Sequence, residues 1–183
     1  MECCKSKIPG VYLFSERPEI NNNLGFEVLY SHENIRNVSG LKNVFSYHYE
    51  TEFMFKNTLR GFFIQNAPWT NNLLMKCVNG SCRVIVLDVR DTTETYQHYT
   101  SRDLLSSDGN LLYVPIGVAH AFLSLEDNTR LYILSDNIIS EKKNITINVF
   151  ETLAGSGIIP AKVISSVETY KAPRLSEIER RYW

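Results

Sequence analysis

Short segments rich in aromatic and β-branched residues recur along this chain at intervals of roughly ten residues, each closed by a turn signal. Val11 to Phe14, Gly25 to Tyr30, Val44 to Glu50, Leu59 to Gln65 and Leu73 to Val78 read as strands. So do Cys82 to Val89, Gln97 to Thr100, Asn110 to Val114, Ala121 to Ser124 and Thr129 to Ser135. Between them stand Asn79-Gly80, Asp108-Gly109, Pro115-Ile116-Gly117 and Asp127-Asn128, residues that accept the backbone angles of tight turns. Strands this short bury their apolar faces only when two sheets pack together or one sheet closes on itself. The expectation is an all-β fold with an interior. Helix is scarce: Glu33 to Asn37 allows one turn, and Leu175 to Arg181, behind Pro173, reads as a short helix with Ser176 and Glu179 near capping-box spacing.

The chain has 183 residues, 44% of them apolar, which suits one domain over 1–183, its barrel core at about 25–140, with N-terminal strands and a C-terminal segment packed outside. Nineteen basic residues balance twenty acidic ones, so no net field draws nucleic acid or an anionic membrane to the surface. The longest apolar runs are too short to cross a bilayer, and the start, Met1-Glu2-Cys3-Cys4-Lys5, has no apolar signal core. A cytoplasmic location is expected. Cys3, Cys4, Cys77 and Cys82 form no C-x-x-C pair and read as reduced thiols.

One strand stands apart. In Ser46 to Glu52, residues 46, 48, 50 and 52 share one face and 47, 49 and 51 the other, setting a polar face against an aromatic one. Such a strand suits a barrel with a wet ligand site inside and a covered outer face, which would put His48 and Glu50 in the interior. Further along, Gly109, five residues, then Pro115-Ile116-Gly117-Val118-Ala119-His120 matches the second cupin motif, G-x5-P-x-G-x2-H. Gly109 turns the chain, the next residues form a strand, Pro115 and Gly117 bend it, and His120 is aimed inward.

Leu59-Arg60-Gly61-Phe62-Phe63-Ile64-Gln65, Asp88-Val89-Arg90, Thr95-Tyr96, Val114-Pro115 to Phe122, and Tyr132 with Asp136 follow in order. Together they resemble the dTDP-4-dehydrorhamnose 3,5-epimerase family, cupins that act on nucleotide-linked 4-keto-6-deoxy sugars. The resemblance spans about residues 8 to 176. It implies a jelly-roll barrel with short peripheral helices, a homodimer with exchanged strands, and a nucleoside-diphosphate sugar as partner. It also implies a place in cell-surface polysaccharide synthesis, of which lipopolysaccharide and O-antigen are examples.

The family's proton-transfer groups are missing. Its histidine base falls at Phe63, its lysine at Leu73, its aspartate at Val84 and its tyrosine acid within Asn137-Ile138-Ile139. The carboxylate partner of the base falls at about Thr169, with Glu168 beside it as a stand-in, and a second phosphate-binding arginine is replaced by Leu24. Arg60 remains, matching a diphosphate ligand, the bland alternative being a structural ion pair with Asp88 or a strand-end carbonyl. Gln65, Arg90 and Tyr132 also match family positions, Asp88 and Arg90 reading as scaffold.

The sequence therefore assigns substrate contacts to Arg60, Gln65, His120 and His48, and relocated catalytic roles to His48, Glu50, His120 and Tyr132. Two histidines and a carboxylate invite a metal, but the ordinary cupin ligand positions fall at Phe63, Gln65 and Leu73, so neither metal nor cofactor is expected. Tyr47, Tyr49, Phe26 and Trp69 are unranked candidates for stacking on the nucleobase. Three functions follow: an epimerase or isomerase with non-standard chemistry, an inactive cupin that binds a nucleotide sugar or supports a partner enzyme, or a purely structural barrel with a filled cavity.

Overall fold

The structure, a computed structural model, describes residues 1–15 and 30–178. Phe26, Leu24 and most of the strand expected over 25–30 lie outside the described residues. Along the described chain come β1 (Glu2–Lys5), β2 (Tyr12–Ser15), α1 (His32–Ser39), β3 (Tyr47–Phe53), β4 (Leu59–Gln65), β5 (Leu73–Asn79) and β6 (Ser81–Asp88). Then follow β7 (Tyr99–Leu105), β8 (Leu111–Val114), β9 (Val118–Ser124), β10 (Thr129–Ser135), β11 (Asn144–Thr146), α2 (Val149–Thr152) and α3 (Val167–Tyr170). Two antiparallel sheets, ordered β1-β2-β8-β5-β10-β3 and β11-β4-β9-β6-β7, face one another as a jelly roll. This is the all-β fold expected from the strand pattern.

Alternation sorts each strand into two layers. Phe53, Leu73, Met75, Leu112, Leu131 and Ile133 point from the first sheet toward Cys82, Val84, Val86, Leu104 and Phe122 of the second, forming the interior core. Phe62, Ile64, Ile85, Leu87 and Ala121 cover the outer face of the second sheet, where Ile147, Val149 and Leu153 close over them. The outer face of the first sheet carries Phe14, Leu74, Leu111, Tyr113 and Leu134, capped by Ile35 of α1. Each large apolar side chain removed from water in these layers contributes about 1.5–3 kcal/mol.

β4 breaks the alternation at one place. Its register with β9 pairs Arg60 with Phe122 and Phe63 with His120, three residues against two, so the strand carries an extra residue. That bulge turns both Arg60 and Phe63 inward. Gly61 sits in it at φ +113, where a Cβ would lie 2.7 Å from the His120 carbonyl oxygen and 2.8 Å from Ala121 Cα, so only glycine fits.

Some expected boundaries move. β3 begins at Tyr47 rather than Val44, because its partner β10 ends at Ser135, opposite Tyr47. β7 begins at Tyr99 rather than Gln97, whose φ of +64 takes it out of extended geometry. The C-terminal helix is a single 3-10 turn, Leu175–Glu177, where the Glu177 carboxylate accepts the Arg174 N–H at 2.9 Å. Glu179 lies outside the described residues.

Candidate functional site in the barrel interior

Arg60 and His120, on adjacent strands of the second sheet, face the interior. The Arg60 guanidinium lies over the Phe53 ring, 4.5 Å from its centroid, and donates to Thr51 Oγ1 at 3.1 Å. These contacts hold it by cation–π attraction and one hydrogen bond. Among the described residues it has no carboxylate partner, and the alternative partner considered for it, Asp88, is fully engaged elsewhere. Asp88 accepts from Arg90, Thr93 and Thr95. Burial acts to raise its pKa, but those hydrogen bonds outweigh it and hold the carboxyl below its ordinary value. Asp88 and Arg90 are the scaffold expected, fastening the loop before β7. Arg60 is left as an exposed cation at the mouth of the interior.

His120 sits between two aromatic rings, 6.1 Å from the Phe63 centroid and 5.2 Å from that of Phe122. Burial pushes its pKa down to about 4, so the imidazole is neutral at pH 7. Neither ring nitrogen bonds to a described residue, and since no fully buried side-chain nitrogen there lacks a partner, both are open to the space of the interior. A neutral imidazole with both nitrogens uncommitted is free to accept from a ligand or take a proton from one. Around it the interior is apolar: Leu73 and Val84 are in the core, and Phe63, Tyr49 and Ile139 pack against it.

Gln65 is buried, and both ends of its amide are occupied. It donates to the Ser140 carbonyl at 3.2 Å and accepts the Ser140 N–H at 3.1 Å. Expected as a substrate contact, it instead fixes the segment that carries Ile139 inward. The same segment is held at its start by Asp136, which accepts the Asn72 backbone N–H at 2.7 Å and the Asn72 amide at 2.6 Å.

His48 and Glu50 are not in the interior with His120. On β3 it is Tyr49 and Phe53 that pack into the interior core, with Thr51 in the same parity beneath Arg60, so His48 and Glu50 point to the outer face. A one-residue change of parity moves every side chain of a strand to the other side of the sheet. Tyr132, paired with Glu50 and Lys76 across the ladder, is outside as well. There His48, Glu50 and Tyr132 do come together, with Lys76, Leu134 and Tyr30, around a cleft of about 630 Å³. Glu50 is exposed and pairs with Arg130 at 3.3 Å. The two histidines and the carboxylate that could suit a metal are thus divided, His120 facing the interior from the second sheet and His48 and Glu50 lying on the outer face of the first. Glu168, the stand-in carboxylate, is exposed on α3, whose buried member is Thr169.

Thr51 is an interior residue that the sequence reading missed, and Tyr49, expected only as one of four stacking candidates, lies in the interior with it. Phe53 was the available signal: a large apolar side chain at an odd position next to the Leu59-Arg60-Gly61 run marks the odd-numbered face as the buried one. Of the stacking candidates, Tyr47 is 40% exposed on the inward parity, whereas the Trp69 ring is covered by the Lys143 ammonium, 4.9 Å from its centroid.

A family model for dTDP-4-dehydrorhamnose 3,5-epimerase matches residues 5–177. An enzyme of that name from Sinorhizobium fredii is 35% identical over 72 residues, 39% of this chain and 37% of its own length. Another from Mycobacterium tuberculosis is 32% identical over 97 residues, 52% of this chain and 48% of its own. The matched stretches therefore span less than half of these two relatives. A crystal structure of dTDP-6-deoxy-D-glucose-3,5-epimerase from Legionella pneumophila, in complex with dTDP-4-keto-L-rhamnose, superposes with a TM-score of 0.86 at 18% identity, covering 100% of this chain and 98% of that one.

Proposed function

The chain belongs to the dTDP-4-dehydrorhamnose 3,5-epimerase family, and from that premise we propose that it binds a nucleotide-linked 4-keto-6-deoxy sugar at the mouth of the barrel. The diphosphate lies on Arg60 and the sugar reaches Phe63 and His120. The observation that carries this reading is the pairing, on adjacent strands of one inner face, of an exposed guanidinium and an imidazole that have, among the described residues, no carboxylate partner and no hydrogen bond respectively. Arg60 supplies the charge and planar donors that suit phosphate oxygens. His120 is the base: its neutral ring takes a proton from the carbon beside the keto group, in place of the groups lost at Phe63, Leu73, Val84 and Ile139. The protein acts in this reading as a cytoplasmic homodimer in the synthesis of cell-surface polysaccharide.

A second reading, binding without chemistry, would rest on the apolar lining at those four positions, which removes the polar groups together and leaves no isolated buried charge. Incubation with dTDP-4-keto-6-deoxyglucose in deuterated buffer separates the two. Deuterium beside the keto group, lost in His120→Phe, supports the first. Binding of the sugar nucleotide without any deuterium supports the second.

A further inference from the structure

Besides Tyr47 at its exposed end, β3 turns two hydroxyls to the interior. That of Thr51 is occupied by Arg60. The other, Tyr49 Oη, accepts the backbone N–H of Ile139 at 2.9 Å and donates to no described residue. Its oxygen is fixed and its proton uncommitted.

Its position follows from the strands around it. Along β3, Phe53 lies by Phe122, with ring centroids 6.1 Å apart, and Thr51 lies under Arg60. One step further the inner face reaches Tyr49. On the opposite sheet the same direction leads from Arg60 and Phe122 to Phe63 and His120, which are paired across β4 and β9. It then leads to Gln65, clamped to Ser140, the residue after Ile139. The Tyr49 hydroxyl is therefore at the His120 end of the interior, on the opposing sheet.

We propose that Tyr49 is the proton donor of the site, facing the sugar from the side opposite His120. This rests on the reading of His120 as the base. His120 takes the proton from the carbon beside the keto group, and the C–H electron pair becomes the C=C bond of an enolate, its charge on the former keto oxygen. The enolate carbon then takes the phenolic proton from its other face as the carbonyl re-forms, which inverts that carbon. Imidazolium and phenolate remain, and exchange with water resets both with no net gain or loss of protons. The Ile139 N–H already points at the phenol oxygen, and its hydrogen bond strengthens as that oxygen becomes anionic.

The test is Tyr49→Phe, which keeps the ring and removes the hydroxyl, compared with the unaltered protein and dTDP-4-keto-6-deoxyglucose in deuterated buffer. Unaltered protein gives deuterium with inversion. The variant binds dTDP normally and still places deuterium at that carbon with retention, while inverted product falls about 10²- to 10⁴-fold. Inverted product at an undiminished rate from the variant overturns the role of Tyr49 alone. Equal loss of exchange and inversion also overturns it, marking Tyr49 as structural. Absence of deuterium from the unaltered protein overturns this proposal together with the reading of His120.

Discussion

Replacing His120 by phenylalanine removes a group that the fold keeps neutral, and the consequence is a change in how stability depends on pH. The imidazole has an ordinary pKa of 6.5 and is held at about 4 in the native interior. Between those values the unfolded chain binds a proton at this position and the folded chain does not. Stability contributed by the neutral ring is fully present above pH 6.5 and is lost as the pH falls toward 4, at about 1.4 kcal/mol per pH unit. Between pH 7.5 and pH 5.0 only the interval below 6.5 counts, so His120 accounts for about 2 kcal/mol of lost stability. Urea unfolding of the unaltered protein and of His120→Phe at both pH values isolates that amount, since carboxylates and other histidines contribute alike to the two proteins. The unaltered protein should lose about 2 kcal/mol more than the variant. Equal losses would mean that the ring is solvated in the native state, and the reasoning about a neutral base between Phe63 and Phe122 would fail.

Gly61→Ala places a methyl group 2.7 Å from a backbone oxygen at φ +113; a loss of about 3 kcal/mol is expected, visible as a lower urea midpoint, and an unchanged midpoint would refute the bulge. Asp88→Ala leaves the Arg90 guanidinium without its carboxylate, which should cost about 3–5 kcal/mol in the same assay. The native Asp88 pKa is depressed, so its contribution is present above the ordinary carboxylate pKa and lost as the pH falls through the lower native value. That part of the acid sensitivity should vanish in Asp88→Asn. Cys77 and Cys82 are buried, and burial pushes the Cys77 thiol up to about 11 and raises Cys82 as well. Native protein at pH 8 should therefore take iodoacetamide at exposed Cys4 and not at these two, with full labelling only after denaturation.

Strands with strong alternation and a turn residue at each end were legible in the sequence, and β4 and β10 were placed residue for residue. β1 was not, because Glu2-Cys3-Cys4-Lys5 shows no apolar alternation and is held to β2 by the backbone ladder, with only Cys3 packed against the outer core. β11 was missed for a related reason: three half-buried residues fasten to the edge of β4 without a hydrophobic stripe. Within the site, His120 was readable because a bend and a strand fix its direction together. His48 and Glu50 were assigned to the interior because polar residues suit a wet cavity, yet side-chain parity is set by core packing. Phe53, fully buried, determines it for the whole of β3. The roles of Gln65 and Tyr49 depend on the Ile139–Ser140 segment crossing the barrel from β10, a contact between residues some 75 to 90 positions apart that no local pattern encodes.

The claim that the ligand lies in the interior, and not in the outer cleft around His48 and Glu50, is tested most directly by calorimetric titration of dTDP into three proteins. These are the unaltered chain, Arg60→Ala and the outer-face variant Glu50→Ala. Removing a charged donor to phosphate should weaken binding about ten- to hundredfold in Arg60→Ala, while Glu50→Ala binds as the unaltered protein does. Undiminished binding by Arg60→Ala, or a loss confined to Glu50→Ala, would contradict the account.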